Sequence, residues 1–200
     1  MRQRPGEVQD FLDRLEEAIA QAAPPASPAA RTAGKIFAAL KTPGAPGDAV
    51  PVTLPVCRHG REAVALLRGH GSPAARLAEA LDQLAPSLAW SRRPGAEAAG
   101  TDFAAGHANA VVVGPTGLER RQDVRVGISV MAPNIQYPDH RHPPEEVYVV
   151  LSPGAWRQGE GPWFEPGAGG IVYNPPDILH AMKSDAAALL AVWCLWEDHS

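Results

Sequence analysis

The chain has 200 residues, enough for one domain with a real core, and a formal net charge of -4 from 18 Lys and Arg scattered among 22 Asp and Glu. That balance gives no broad cationic field for nucleic acid or anionic lipid, so a small neutral or zwitterionic ligand fits better than either. Charges recur through MRQRPGEVQDFLDRLEEAIAQAA, which leaves neither a signal-peptide core nor a membrane span, and the chain reads as cytoplasmic.

The first half reads as helical. Phe11, Leu12, Leu15, Ala18, Ile19 and Ala22 follow one helix face, and Pro24-Pro25 ends that run. Ala33, Ile36, Phe37 and Leu40 predict a second helix over 31–41, before the turn-rich KTPGAPGD. A third is expected over 61–68. A fourth starts with Ser72 as N-cap and Pro73 at the first helical position, followed by an apolar stripe of Ala74, Leu77, Ala78, Leu81 and Leu84. His59 and His70 stand alone here and read as ordinary surface or core residues. Cys57 and Cys194 belong to no CxxC pair and read as packing thiols.

From about Ala108 the hydrophobic period changes from 3.6 to 2. AVVV from Ala110 precedes a GPTG turn, and Val124, Val126, Ile128 and Val130 then alternate with Arg125, Gly127 and Ser129. Short runs follow at 147–151, 163–164, 171–173 and 188–196, separated by Pro and Gly turns. Strands this short, with no helix-length segments between them, predict a β-sandwich or small barrel.

The stretch YPDHRHPPEEVYVV, 137–150, crowds ionisable groups against a hydrophobic strand. On extended backbone His140 and His142 project together, while Arg141 turns away. Beyond Pro143-Pro144, Glu146 shares a face with Tyr148 and Val150, opposite Glu145, Val147 and Val149. His180 follows GGIVYNPPDIL. Three histidines and a carboxylate make a borderline-hard ligand set suited to one divalent transition metal, Zn, Fe, Mn, Co or Ni, and the spacing does not choose among them.

That spacing carries a resemblance. His140-x-His142-x3-Glu146, followed by Gly154, is similar to the first cupin motif with one extra residue before the glycine. Gly169-x5-Pro175-x-Asp177-x2-His180 is similar to the second, with Asp177 where the family usually has Gly and Ser184 where it often has Asn. Tyr137-x2-His140-x-His142-x3-Glu146-x-Tyr148, then His180, with the lead-in GHANAVVVGPTGLE, resembles the bacterial dimethylsulfoniopropionate (DMSP) lyases of the DddQ and DddL type.

The resemblance implies a mainly β fold: a cupin β-barrel (double-stranded β-helix, jelly roll) at 106–200, carrying the metal site, with an N-terminal α-helical segment at 1–105 packed on it. It also implies cleavage of DMSP to dimethyl sulfide and acrylate by β-elimination. In that scheme Tyr148 is the general base and a transient metal ligand, with Tyr137 and His140 near the substrate. His142, Glu146 and His180 are the firmest ligands, and His140 either coordinates or orients. A free tyrosine titrates near 10, so it needs a nearby cation to act as a base. Trp156, Trp163, Phe164, Tyr173, Trp193 and Trp196 are candidate aromatic walls for a sulfonium. Trp193 and Trp196 lie on opposite strand faces, so at most one of them points inward. Two other readings stand beside this one: an Fe(II) dioxygenase using two histidines and a carboxylate, and a non-enzymatic small-molecule-binding cupin. A homodimer is compatible with all three.

Overall fold

The structure, a computed structural model, describes residues 4–197. The outermost three residues of each expected segment therefore lie outside the described residues. Four amphipathic helices come first: α1 Gly6–Ala22, α2 Pro28–Leu40, α3 Cys57–Leu67 and α4 Pro73–Leu84. A short α5, Thr101–Gly106, leads into the sheets. The N-cap expected at Ser72 is formed, its Oγ accepting from Ala75 N at 3.2 Å. The same Ser-Pro-Ala-Ala-Arg string opens α2, where Ser27 Oγ accepts from Ala30 N at 3.2 Å, so that helix begins earlier than its apolar stripe indicates.

The strands are β1 Ala45–Pro46, β2 Trp90–Ser91, β3 His107–Val113, β4 Glu119–Arg120, β5 Val124–Met131 and β6 Gln136–His140. They continue with β7 Glu145–Val150, β8 Ala155–Gln158, β9 Ile171–Asn174, β10 His180–Lys183 and β11 Leu189–Trp196. The large sheet runs β1-β4-β3-β5-β11-β7-β9, with β2 on β3, and the small one runs β6-β10-β8. The expected 163–164 strand is reduced to a single bridge between Trp156 and Phe164.

Strand alternation sorts the large sheet into two cores. Val126, Ile128, Val147, Val149, Val192 and Cys194 face α1–α4, and Tyr148, Val150, Ala191, Trp193 and Leu195 face the small sheet together with Tyr137, Trp156 and Met182. The central strands are therefore covered on both faces, which explains their nearly continuous apolar sequence. Helices preceding a cupin-type jelly roll is the arrangement expected from the sequence, with one difference. The two sheets pack face to face as a sandwich and do not close into a barrel, because among the described residues no hydrogen-bonded ladder joins them. Three short strands are too few to wrap round, so side chains make the contact between the sheets.

Candidate metal centre

Three elements deliver the site. β6 and β10 pair antiparallel with His140 opposite His180, and Glu146 lies on β7 of the facing sheet. A register shift follows: His180 faces His140, but Met182 faces Tyr137, so β6 carries one extra residue around Pro138 and Asp139. That bulge changes the strand's phase and lets both Tyr137 and His140 point inward, which strict alternation forbids for residues three apart. His142 lies beyond the end of β6, and its carbonyl accepts from Asp177 N at 2.9 Å.

Ligand atoms of His140, His142 and His180 lie within 4.8 Å of one another. Glu146 Oε2 is 3.3 Å from His142 Nε2 and 3.5 Å from His180 Nε2. Each imidazole is held through Nδ1: His140 to Pro138 O at 3.0 Å, His142 to Pro144 O at 2.9 Å, His180 to Ile178 O at 2.9 Å. Donation from Nδ1 to a carbonyl leaves Nε2 with its lone pair, and these are the nitrogens turned into the cluster. Glu146, 3% exposed, accepts from Asn174 Nδ2 at 2.9 Å, and Gln158 Nε2 donates to Asn174 Oδ1 at 2.7 Å.

These residues fit a divalent cation. His180 Nε2 is buried and makes no hydrogen bond, which is costly without a partner and is resolved if it ligates a metal. Nitrogens about 2.1 Å from one ion stand at most about 4.2 Å apart, so the histidine set needs only slight contraction. Burial, and then the neighbouring His180, lower the His140 pKa to about 4, and burial lowers that of His180, so both are neutral and able to ligate near pH 7. Burial would also lower His142, but the Glu146 carboxylate outweighs it and raises it. Burial opposes ionisation of Glu146, yet its histidine neighbours hold it below the usual carboxylate value.

A cavity of about 390 Å³ opens beside the cluster, lined among others by Tyr137, His140, Glu146, Tyr148, Trp193 and Arg93. His142 also borders a larger space of about 470 Å³ with Pro143, Pro144, Pro176 and Trp196, but that space lacks the tyrosines and the other histidines. Burial, and then the Glu146 charge, push the Tyr148 phenol well above its ordinary value. Tyr137 is raised by burial, opposed by the Arg93 charge and by a hydrogen bond with Asn109. Of the six candidate aromatics, Trp193 alone lines this cavity; its Nε1 donates to Ser129 Oγ at 3.0 Å, and Ser129 Oγ donates to Asn109 Oδ1 at 2.6 Å. Trp196 packs against the helix-side core, as the opposite-face expectation requires. Trp156 is buried between the sheets, Trp163 carries the Arg157 and Lys183 cations, and Phe164 is exposed. Tyr173 donates to Glu145, which also accepts from Thr32 Oγ1 at 2.7 Å and Lys35 Nζ at 2.9 Å, tying α2 to the outer face of β7.

The two departures from the cupin motifs have local explanations. Asp177 has φ 58°, a left-handed conformation that glycine adopts most cheaply and Asp tolerates. Ser184 Oγ donates to Ala132 O at 2.6 Å and accepts from Ile135 N at 3.0 Å, fixing the loop that feeds β6. Arg93, Asn109, Ser129 and Asn174 are not among the site residues expected from the sequence. Arg93, Asn109 and Ser129 come from elements outside the histidine motif, so no spacing signal connects them to it.

The fold and this cluster define a helix-covered, two-sheet β-sandwich protein with a candidate three-histidine, one-carboxylate metal centre. A sequence profile of the DMSP lyase family matches residues 29–191, and the chain belongs to that family. DMSP lyase DddQ from Ruegeria pomeroyi DSS-3 superposes with a TM-score of 0.73, over 98% of this chain and 94% of that one, at 20% identity. A chain from the crystal structures of the DMSP lyases RdDddP and RnDddQII gives 0.70, over 95% and 92%, at 22% identity. At such identities the likeness speaks for the fold. A Cereibacter sphaeroides protein provisionally named dimethylsulfoniopropionate lyase DddL is 28% identical over 138 residues, covering 68% of this chain and 56% of that protein. This chain therefore spans little more than half the length of that relative. Among the described residues no helix is long and apolar enough to cross a membrane.

Proposed function

We propose that this protein is a metal-dependent DMSP lyase that cleaves its substrate by β-elimination to dimethyl sulfide and acrylate. The observation that carries the reading is the convergence of Tyr148, Tyr137, His140, His142 and Glu146 on one cavity, with His180 completing the ligand cluster behind it, in a chain of the DMSP lyase family.

His142, Glu146 and His180 would hold the ion, with His140 as a fourth ligand or as a residue orienting the substrate. A divalent cation there would supply Lewis acidity toward the negative charge that develops on the substrate and the positive charge that favours ionisation of a neighbouring phenol. The chain's own groups do the rest. Tyr148 Oη takes the proton from the carbon next to the carboxylate; that electron pair forms the new C=C bond while the C–S bond breaks and its pair leaves with sulfur. The products are acrylate, neutral dimethyl sulfide and one proton, which passes from Tyr148 to solvent. The raised pKa of Tyr148 makes a cation necessary for this role, since an unassisted buried phenol stays protonated at neutral pH. Asn174 and Gln158 hold the Glu146 carboxylate in place, and Trp193 offers a π face to a methylated sulfonium.

Proton NMR of purified, metal-loaded protein with DMSP tests the reaction directly. One acrylate per DMSP consumed, without oxygen uptake, is expected; oxygenated products, or substrate unchanged by folded, metal-loaded protein, would refute it.

A further inference from the structure

Arg93 lies in the turn after β2, where Pro94 is followed by Gly95 in the left-handed region at φ 74°. The turn is pinned from below. Arg93 N donates to His107 Nε2 at 2.9 Å, and His107 Nδ1 donates to Phe103 O. His107 is buried and stacks on Phe103 with 3.8 Å between ring centroids. This arrangement requires a neutral imidazole, because Nε2 must accept, and burial supplies that condition.

From this anchor the side chain reaches over Tyr137, its guanidinium carbon 5.5 Å from the ring centroid, and lines the cavity. Its charge acts on Tyr137, His140 and His180. Among the described residues no hydrogen bond or ion pair engages the guanidinium. Arg125 on the same cavity is different: Glu197 neutralises it at 2.7 Å. A guanidinium held by its backbone, half-buried in the cavity wall and without a protein acceptor, is a receptor for a planar anion, and a carboxylate matches its fork in two parallel hydrogen bonds.

We propose that Arg93 is the carboxylate receptor of this cavity and sets the direction in which a small zwitterion binds, carboxylate toward Arg93 and cationic end turned away from it. The inference rests on reading the cavity as the substrate site. It narrows the substrate class to short carboxylates whose positive group is separated from the carboxylate, and it excludes simple cations.

The test uses binding, not turnover. Zinc-loaded wild type, Arg93→Met and Arg93→Lys are titrated calorimetrically with propionate, methyl propionate and trimethylsulfonium, with zinc content measured on each sample. Loss of a charge-assisted bidentate pair is expected to weaken propionate about tenfold or more in Arg93→Met, with partial recovery in Arg93→Lys. Methyl propionate should not change, and trimethylsulfonium should bind equally or more tightly once the like charge is gone. Propionate affinity equal in wild type and a zinc-replete Arg93→Met would overturn the proposal, as would failure of wild type to bind propionate at all. Propionate binding through Arg93 in a protein that never cleaves DMSP would leave this inference standing and remove the lyase reading; a DMSP lyase whose KM ignores Arg93→Met would sink this inference alone.

Discussion

Gly127 on β5 and Trp193 on β11 face each other across the ladder, and the Trp193 ring occupies the space that a Cβ at position 127 would need. Ala110 O closes the same space from β3, and a backbone oxygen cannot step aside as a side chain can. Gly127→Ala is therefore expected to displace the indole and lower stability by about 1–3 kcal/mol. Chemical denaturation with tryptophan fluorescence measures both effects; stability and emission unchanged from wild type would show that Trp193 is not held by this contact.

Tyr148→Phe separates metal holding from proton transfer. The ring still fills the inter-sheet core, where Tyr148 is 3% exposed, while the proposed base is lost. Metal content should stay at the wild-type level, and kcat for DMSP should fall by about two to four orders of magnitude. Wild-type turnover in a metal-replete Tyr148→Phe protein would end the assignment.

Asn174 touches no ligand site except through Glu146, so Asn174→Leu tests how the carboxylate is held. It removes the 2.9 Å donor to Oε2 and keeps the branched shape of the original side chain. Metal affinity, followed by competition with a chromophoric chelator, is expected to fall about 10- to 100-fold. An unchanged affinity would mean that Glu146 needs no such support, or is not a ligand.

In the metal-stripped protein, acid should act through the buried imidazoles. His140 is lowered to about 4, and His180 and His107 are lowered by burial. Below the unfolded value of about 6.5 the unfolded chain binds protons that these folded histidines refuse, so stability is lost as pH falls from about 6.5 toward 4, by about 3 kcal/mol for His140 alone. Glu146, lowered in the folded state, adds a loss in the same direction below the ordinary carboxylate value. His142 is raised and contributes with the opposite sign, its stabilisation lost as pH rises through its folded value. Three histidines against one set the net direction. Denaturation midpoints across that window should fall with pH, and a flat profile would contradict the neutral, buried cluster.

How much of this was readable from the sequence depended on how local the signal was. The apolar faces of α1, α2 and α4, the Ser72-Pro73 cap and the alternation of β5 and β7 are short-range patterns, and the structure keeps them. His140, His142, Glu146 and His180 do converge, because three strands and the loop after β6 bring them together. The small sheet was largely missed. β6 carries Pro138 and Asp139, β8 carries Arg157 and Gln158, and neither shows the apolar alternation that marks a strand. Tyr137 illustrates the limit further, since period-2 reasoning sends it away from His140 and only a bulge visible in the pairing register returns it. Arg93 enters from the turn after β2 and Asn109 from β3, and only the three-dimensional arrangement puts them in the cavity.

The measurement closest to the central claim is headspace dimethyl sulfide from purified protein given DMSP under nitrogen, with a metal-loaded and a chelator-stripped sample run side by side. Dimethyl sulfide from the loaded sample alone is the expected result: a metal-dependent elimination that uses no oxygen. No dimethyl sulfide from folded, metal-replete protein, or equal release after stripping, would contradict it.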